Sequence, residues 1–330
     1  MNTASVPASP VIAPIGNTVS LRVVMPVHNA RSYVAQAIRS VLADLPTDGE
    51  LVVIVDGPTD GSTEVVDAMA TSDARMHVIR HAEARGVSRA INAGFAYAEC
   101  PEYVAIAEHD DVVLGGRFLE QMAALSADPR LAAVSSEGRY VGPTGRIFGR
   151  VSVGPHDDQE LRRMIASGEP VLIPHAAVMY RRSAVVRAGM YDPKFDGAQD
   201  LELMNRLVYA CGWTVRTLRS YHLLYRVHDS ATSFSSLSRQ RLISRFVRYR
   251  NQCLLEAREP DDFVDWIERH RPPRHTRWRW YRHDKGALLY RRAGLAWLTG
   301  KPIRCVTALT AAAVLHPRIV LSKLRILRGR

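Results

Sequence analysis

Four polar residues, Glu108-His109-Asp110-Asp111, follow directly on the apolar run "YVAIA" at 103–107. Carboxylates gathered at the end of a buried strand repel one another unless a cation sits among them. Mg2+ and Mn2+ suit such oxygen ligands, and Mg2+ typically takes one or two protein carboxylates while phosphate and water complete its shell. The competing reading is local: Asp110 or Asp111 caps a helix that starts near Gly115. A second acidic pair, Asp56 and Asp60, follows the run "LVVIV" at 51–55, where turn formation is the competing explanation and suffices for Asp60. A third acid, Asp200, opens the segment "DLELMNRLVYACG". A carboxylate there can take a proton from a hydroxyl, favour the helix dipole, or do both. Glu202, two residues on, diverges from Asp200 on a helix and is the lesser candidate.

The elements that must position these acids are legible from periodicity. "LRVVMPV" (21–27) reads as a strand, and Val34, Ala37, Ile38, Val41 and Leu42 then fall on one helical face. "LVVIV" is a second strand, with Ser62 a cap for the helix "TEVVDAMA". "MHVI" (76–79), the helix "SRAINAGFAYA" and "YVAIA" follow, then a helix at 115–126 and a strand at 131–135. Strands apolar on both faces that alternate with helices predict a parallel sheet covered on both sides. Ligands of such sheets bind beyond the carboxyl ends of the strands, and both acidic clusters lie there. Further on, "GRYVGPTGRIFGR" reads as a hairpin turning at 143–145, "VLIPHAAVMY" as a strand, and "WTVRTL" and "YHLLYRV" as two short strands.

In chain order the sequence reads "VVMPVHNA", "VIVDGPTDGST", "ARGVSRAINAGFAYA", "EYVAIAEHDD" and "GAQDLELMNRL". These five motifs, spread over roughly residues 20–235, resemble those of glycosyltransferase family 2, inverting enzymes with a GT-A fold. The resemblance implies an α/β fold of GT-A type, a mostly parallel Rossmann-like sheet flanked by helices, with a C-terminal helical appendage. Pro26-Val27-His28-Asn29 stands for P-x-Y-N and Asn92-Ala93-Gly94 for N-x-G, while Asp56 to Thr63 stands for V-D-D-G-S-T-D-G-T. Glu108-His109-Asp110 stands for the metal-binding D-x-D, and Gln199-Asp200 for a later E-D. By that likeness Pro26, His28, Asn29, Asp56, Asn92 and Asp111 bind a nucleotide diphosphate sugar, and Asp110, with Glu108 and His228 in support, holds Mg2+ or Mn2+. Asp200 is then the catalytic base. His175 is a candidate for the acceptor cleft, Arg226 for a phosphate clamp, and His109 a bystander.

The chain departs from the family pattern at several points. "VDGPTDG" is a residue shorter than V-D-D-G-S-T-D-G, so Asp56 stands either for the first aspartate or for the second with Val55 at the first. Glu108 and Gln199 replace an Asp and a Glu, and Ile91 stands where an arginine often precedes the asparagine of N-x-G. Two other readings remain open. A nucleotidyltransferase would also use metal-bound carboxylates, but "PVHNARS" lacks the glycines of its phosphate loop. A non-catalytic sugar-nucleotide-binding protein draws on the two substitutions.

Composition bounds the rest. With 47% hydrophobic and 23% charged residues among 330, the chain can bury a large core. Four dispersed cysteines suit a reducing compartment and argue against a zinc or disulfide framework. Residues 1–19 carry no basic residue and read as a disordered leader, 20–235 as the catalytic domain and 236–330 as a basic helical region. Residues 237–330 hold 22 Lys and Arg against 7 Asp and Glu, whereas the remainder holds 22 against 26. From Lys285 onward there is no acid. Such a tail, with Trp, Tyr and Leu among its cations and no apolar run of about 20 residues, suits an anionic membrane surface. The competing readings are a helical subdomain packed on the core and, last, nucleic acid, which is not expected. The resulting expectation is a cytoplasmic protein peripheral on the inner face of the plasma membrane, acting on a glycan or lipid-linked acceptor.

Overall fold

The computed structural model describes residues 19–143, 145–228 and 237–318. The expected leader therefore lies outside the described residues, save Val19, as does the expected boundary near 235.

The first half alternates as its periodicity requires: β1 (Leu21–Val27), α1 (Val34–Asp44), β2 (Gly49–Asp56), α2 (Ser62–Ala70), β3 (Met76–His81), α3 (Val87–Ala96) and β4 (Tyr103–Ile106). Strands β3, β2, β1 and β4 lie side by side and parallel. Because side chains alternate along a strand, Val24, Val52, Ile54, Val104 and Ile106 enter the core on one face, and Val23, Met25, Leu51, Val53 and Ala105 the core on the other. That double burial is why each strand reads as an unbroken apolar run. Ser62 does not cap α2: its hydroxyl accepts from Ala30 N–H at 2.8 Å, and Asp60 Oδ1 accepts from Ser62 N–H instead.

Beyond β4 the strand directions mix. β5 (Val112–Val113) precedes α4 (Arg117–Ala127), and β6 (Leu131–Val141) outruns its expected end at 135 to pair with β7 (Ile147–Val151) as the expected hairpin. After α5 (Asp158–Ala166), "VLIPHAAVMY" is not one strand. Pro174 has no N–H for a ladder. The segment is held instead by Asn205, whose side chain bonds both Val171 N–H and C=O, and it passes through a 3-10 turn (His175–Ala177) into the short β8 (Met179–Arg181). Helices α6 (Arg182–Arg187) and α7 (Gln199–Asn205) follow, the latter running on into a π turn at 206–210. The two expected strands 213–218 and 221–227 are one, β9 (Thr214–Arg226). The polar Arg219-Ser220, which reads as a break, is absorbed as a bulge where the parallel register with β6 shifts between Ser136 and Glu137. The full order is β3-β2-β1-β4-β8-β6-β9-β5, with β7 on β6.

The C-terminal region comprises α8 (Leu237–Leu255), α9 (Phe263–Arg269), α10 (Arg274–Leu298) and α11 (Pro302–Leu315). Its first two helices pack on the α/β domain through Phe195, Ala198, Ile243, Phe246, Phe263 and Trp266. Glu202 of α7, 1% exposed, joins them: it accepts from Arg206 at 2.7 Å and from Arg250 of α8 at 2.6 Å. It is thus a structural ion-pair centre, not a second candidate base. Burial opposes its charge, but the Arg206 bond and the Arg250 and Arg206 charges outweigh that and lower its pKa. The stability it contributes is therefore complete above the ordinary carboxylate pKa, about 4.3, and is lost as pH falls through the lower folded value. Glu202→Gln, which strands two arginines, should cost about 3 kcal/mol at neutral pH and weaken the acid dependence, as read by urea denaturation across pH.

Candidate active site

Because β2, β1 and β4 are parallel neighbours, their carboxyl ends share one rim, and the loops 28–33, 57–61 and 107–111 meet there. A cleft of about 1090 Å³ opens over this rim. Its walls take in Pro26, His28, Asn29 and Asp56 from the first two strand ends, and Glu108 to Asp111 from the third. His228, at the end of β9, and Asp200, in the first turn of α7, complete it.

The first two loops are tied to each other. His28 Nδ1–H donates to the Asp56 carbonyl at 2.8 Å, and Asn29, at φ +50°, accepts Thr59 N–H at 2.8 Å. The Asp56 carboxylate, 4% exposed, takes His81 Nδ1–H at 2.7 Å, Arg85 N–H at 2.9 Å and Gly86 N–H at 3.0 Å. Its lone pairs are thus committed to shaping the 84–86 loop, which forms one wall of the cleft. Gly86 holds φ +92°, a conformation that residues with a Cβ rarely adopt, and a Cβ there would also press on the Asp196 carboxylate.

Asn92 is not in the cleft. Its Nδ2 donates to the Tyr191 carbonyl at 2.8 Å and its Oδ1 accepts Tyr191 N–H at 3.1 Å, so α3 is clamped to the chain before α7. The expected donor contact is corrected to a structural one. Asn92→Ala should cost about 2 kcal/mol in chemical denaturation, by stranding buried backbone groups, and leave nucleotide affinity unchanged.

The 108–111 loop fans its side chains apart. His109 Nδ1 donates to the Pro26 carbonyl at 3.0 Å, pinning the loop to β1. Asp110 Oδ2 accepts from His228 Nε2 at 2.8 Å. Burial would raise the Asp110 pKa, but the His228 bond and the His109 and His228 charges win and hold it low. Asp111 Oδ1 accepts Arg226 N–H at 2.7 Å, whereas its buried Oδ2 has no partner among the described residues. Burial, then the Asp110 charge, pushes this carboxyl well up. Arg226 is not placed as a phosphate clamp. Its guanidinium donates to the Asp110 carbonyl and to Gln36 and lies 4.8 Å over the Tyr33 ring, bolting β9 to the loop.

Glu108 points elsewhere. It accepts His175 Nδ1–H at 3.0 Å; His175 Nε2 lies 3.0 Å from the Tyr191 hydroxyl, which donates to Tyr180 at 3.0 Å. Burial disfavours charge on His175, yet the Glu108 bond and the Glu108 and Asp200 charges outweigh it and raise its pKa. Among the described residues no three His, Cys, Asp or Glu side chains converge as a metal cage. Of the expected set of Asp110, Glu108 and His228, Asp110 and His228 adjoin, whereas Glu108 bonds His175. The loop nevertheless fits a divalent ion. A cation would compensate the orphaned Asp111 oxygen and the neighbouring Asp110 carboxylate, and one or two carboxylates suffice for Mg2+.

Asp200 makes no hydrogen bond or ion pair to another described side chain and is half-buried in the cleft wall. Neighbouring Gln199 is spent on Gly197 N–H at 3.0 Å. Sequence reasoning missed the far wall, where Gln240, Arg241 and Ser244 of α8 and Arg291 of α10 line the cleft. Only the basic character of that region signalled an anionic ligand.

Comparison with known proteins follows the same lines. The family model described as Glycosyl transferase family 2 matches residues 22–187. Succinoglycan biosynthesis protein ExoU of Rhizobium meliloti is 25% identical over 219 residues, 58% of this chain and 60% of that protein. Staphylococcus aureus TarS 1-349 in complex with UDP-GlcNAc superposes with a TM-score of 0.52 at 13% identity, over 88% of this chain and 91% of that one. GalNAc-T7 with UDP, GalNAc and Mn2+ does so with a TM-score of 0.54 at 17% identity, over 78% and 55%. These structural likenesses establish the fold alone.

Proposed function

This chain belongs to glycosyl transferase family 2 and has its GT-A fold, and on that premise we propose that it transfers a sugar, with inversion, from a nucleotide diphosphate sugar to a hydroxyl of a glycan or lipid-linked acceptor. Cell-envelope or surface polysaccharide synthesis is the setting, by likeness to ExoU. The observation that carries the reading is the meeting of Asp110, Asp111 and Asp200 in one cleft large enough for donor and acceptor together.

In this reading the two tied loops at 26–29 and 56–59 hold the nucleotide through backbone and His28, with Asp56 keeping the wall in shape. Asp110, with Asp111 beside it and His228 bracing it, would hold Mg2+ or Mn2+, which would supply charge neutralisation for the diphosphate leaving group. Asp200 takes the proton of the acceptor hydroxyl as that oxygen attacks the anomeric carbon from the face opposite the diphosphate. The new carbon–oxygen bond forms as the bond to the diphosphate breaks, and the proton ends on Asp200. Glu108 and His175 fix the wall beside Asp200.

A panel of nucleotide diphosphates, with and without Mn2+, tests the donor site by thermal shift. The reading expects stabilisation that requires both partners, followed by sugar transfer when the matching nucleotide sugar and a hydroxyl acceptor are supplied. Pyrophosphate release from a nucleoside triphosphate and sugar phosphate would point to a nucleotidyltransferase. Binding without turnover over an acceptor panel would point to a non-catalytic protein.

A further inference from the structure

Helices α10 and α11 form an antiparallel hairpin, most of which lies outside the catalytic cleft. Arg282 Nη2 of α10 donates to the Val314 carbonyl of α11 at 3.1 Å, and Gly286 lets the chains touch where a Cβ would lie 2.5 Å from His316 Cβ. Small residues at the contact, such as the fully buried Ala312, keep the helices close.

Its outer surface is unusual in two independent ways. Ile303, Val306, Thr310 and Val314, spaced as one helical stripe, are exposed, the three aliphatic ones at 79%, 63% and 67%, and Trp297 at the hairpin bend is 68% exposed. Lone exposed apolar residues are ordinary, whereas a stripe of them with a tryptophan marks a contact surface. The second feature is charge. From Lys285 to Arg318 there are six cations, among them Arg292, Lys301 and Arg304 around the groove between the helices, and no acid. Surfaces that face only water mix both signs.

We infer that this hairpin face seats the protein on an anionic lipid bilayer, with Trp297, Ile303, Val306 and Val314 entering the interface and Arg292, Lys301 and Arg304 meeting lipid phosphates. No described helix is long and apolar enough to cross a membrane. The 14 residues of α11 span about 21 Å against a hydrocarbon core of about 30 Å, so the hairpin lies in the interface plane. Nucleic acid fits less well, because aliphatic side chains offer bases no stacking surface. Arg291 of α10 also lines the catalytic cleft, so the seated hairpin brings the cleft to the bilayer surface. That consequence rests on the transfer reading, with a lipid-linked acceptor; the seating itself does not.

The test is co-sedimentation of the full chain with phosphatidylcholine vesicles that contain or lack phosphatidylglycerol. Binding should require phosphatidylglycerol and weaken with salt. It should fall about tenfold or more in Arg292→Glu/Lys301→Glu/Arg304→Glu and in Trp297→Ser/Ile303→Ser/Val306→Ser. Both variants should keep the wild-type melting temperature and metal-dependent nucleotide binding. The inference is overturned by a chain that stays in the supernatant with anionic vesicles, or by binding that neither variant changes. It is equally overturned by preference for an oligonucleotide that vesicles do not displace, or by a dimer in light scattering that the apolar variant dissociates. Vesicle binding without sugar transfer would leave the seat standing and remove the transferase reading; transfer to a soluble acceptor without vesicle binding would do the reverse.

Discussion

Asp200→Asn should slow sugar transfer by about 1,000-fold while leaving nucleotide binding and the fold intact. The substitution keeps shape and removes only the capacity to accept a proton. Asp200 stands in the first turn of α7, where its charge also suits the helix dipole, but that effect is worth no more than about 1 kcal/mol at a partly exposed site. A residue serving the helix alone would therefore lose a little stability on substitution and keep its rate. Kinetics with saturating donor, beside a melting curve and a nucleotide titration, separate the two roles. The geometry favours the first, because Asp200 faces the cleft with its carboxylate uncommitted to other described side chains, whereas Glu202, two residues on, is enclosed by two arginines.

The second large effect is expected at Asp110. Asp110→Asn can still accept the His228 hydrogen bond, so the loop should hold its shape. The lost charge should abolish the dependence of nucleotide diphosphate binding on Mn2+ and reduce transfer about 100-fold or more. The same change removes a negative neighbour from Asp111, whose carboxyl is pushed up by burial and by Asp110. The metal-free variant should consequently lose little stability. Isothermal titration with nucleoside diphosphate, in Mn2+ and after chelation, reads the coupling directly. Equal metal dependence in wild type and variant would move the ion elsewhere.

The parts of this site that the sequence displayed are those built by adjacent, parallel, doubly buried strands. Runs such as "LVVIV" and "YVAIA" announce their burial, and acids at their ends must then lie on one rim. What stayed hidden depends on partners far along the chain. Asn92 looks like a donor ligand until Tyr191 is seen to take both ends of its amide across 99 residues. Glu108 looks like a metal arm until His175 claims it across 67. Two strands became one at β9 because a bulge in β9, opposite Ser136 and Glu137 of β6, absorbs Arg219-Ser220, a pairing fact rather than a local propensity. Likewise nothing in the α8 sequence declares that Gln240, Arg241 and Ser244 close a cleft whose motifs end before them.

The most direct test of the whole account is the anomeric configuration of the product. The purified chain, Mn2+, an α-linked nucleotide diphosphate sugar and a hydroxyl acceptor would be incubated together, and the new linkage read by proton NMR from the coupling of its anomeric proton. A β linkage, formed by wild type and absent with Asp200→Asn, is the predicted result. An α linkage, or undiminished transfer by Asp200→Asn, would contradict direct displacement with Asp200 as its base.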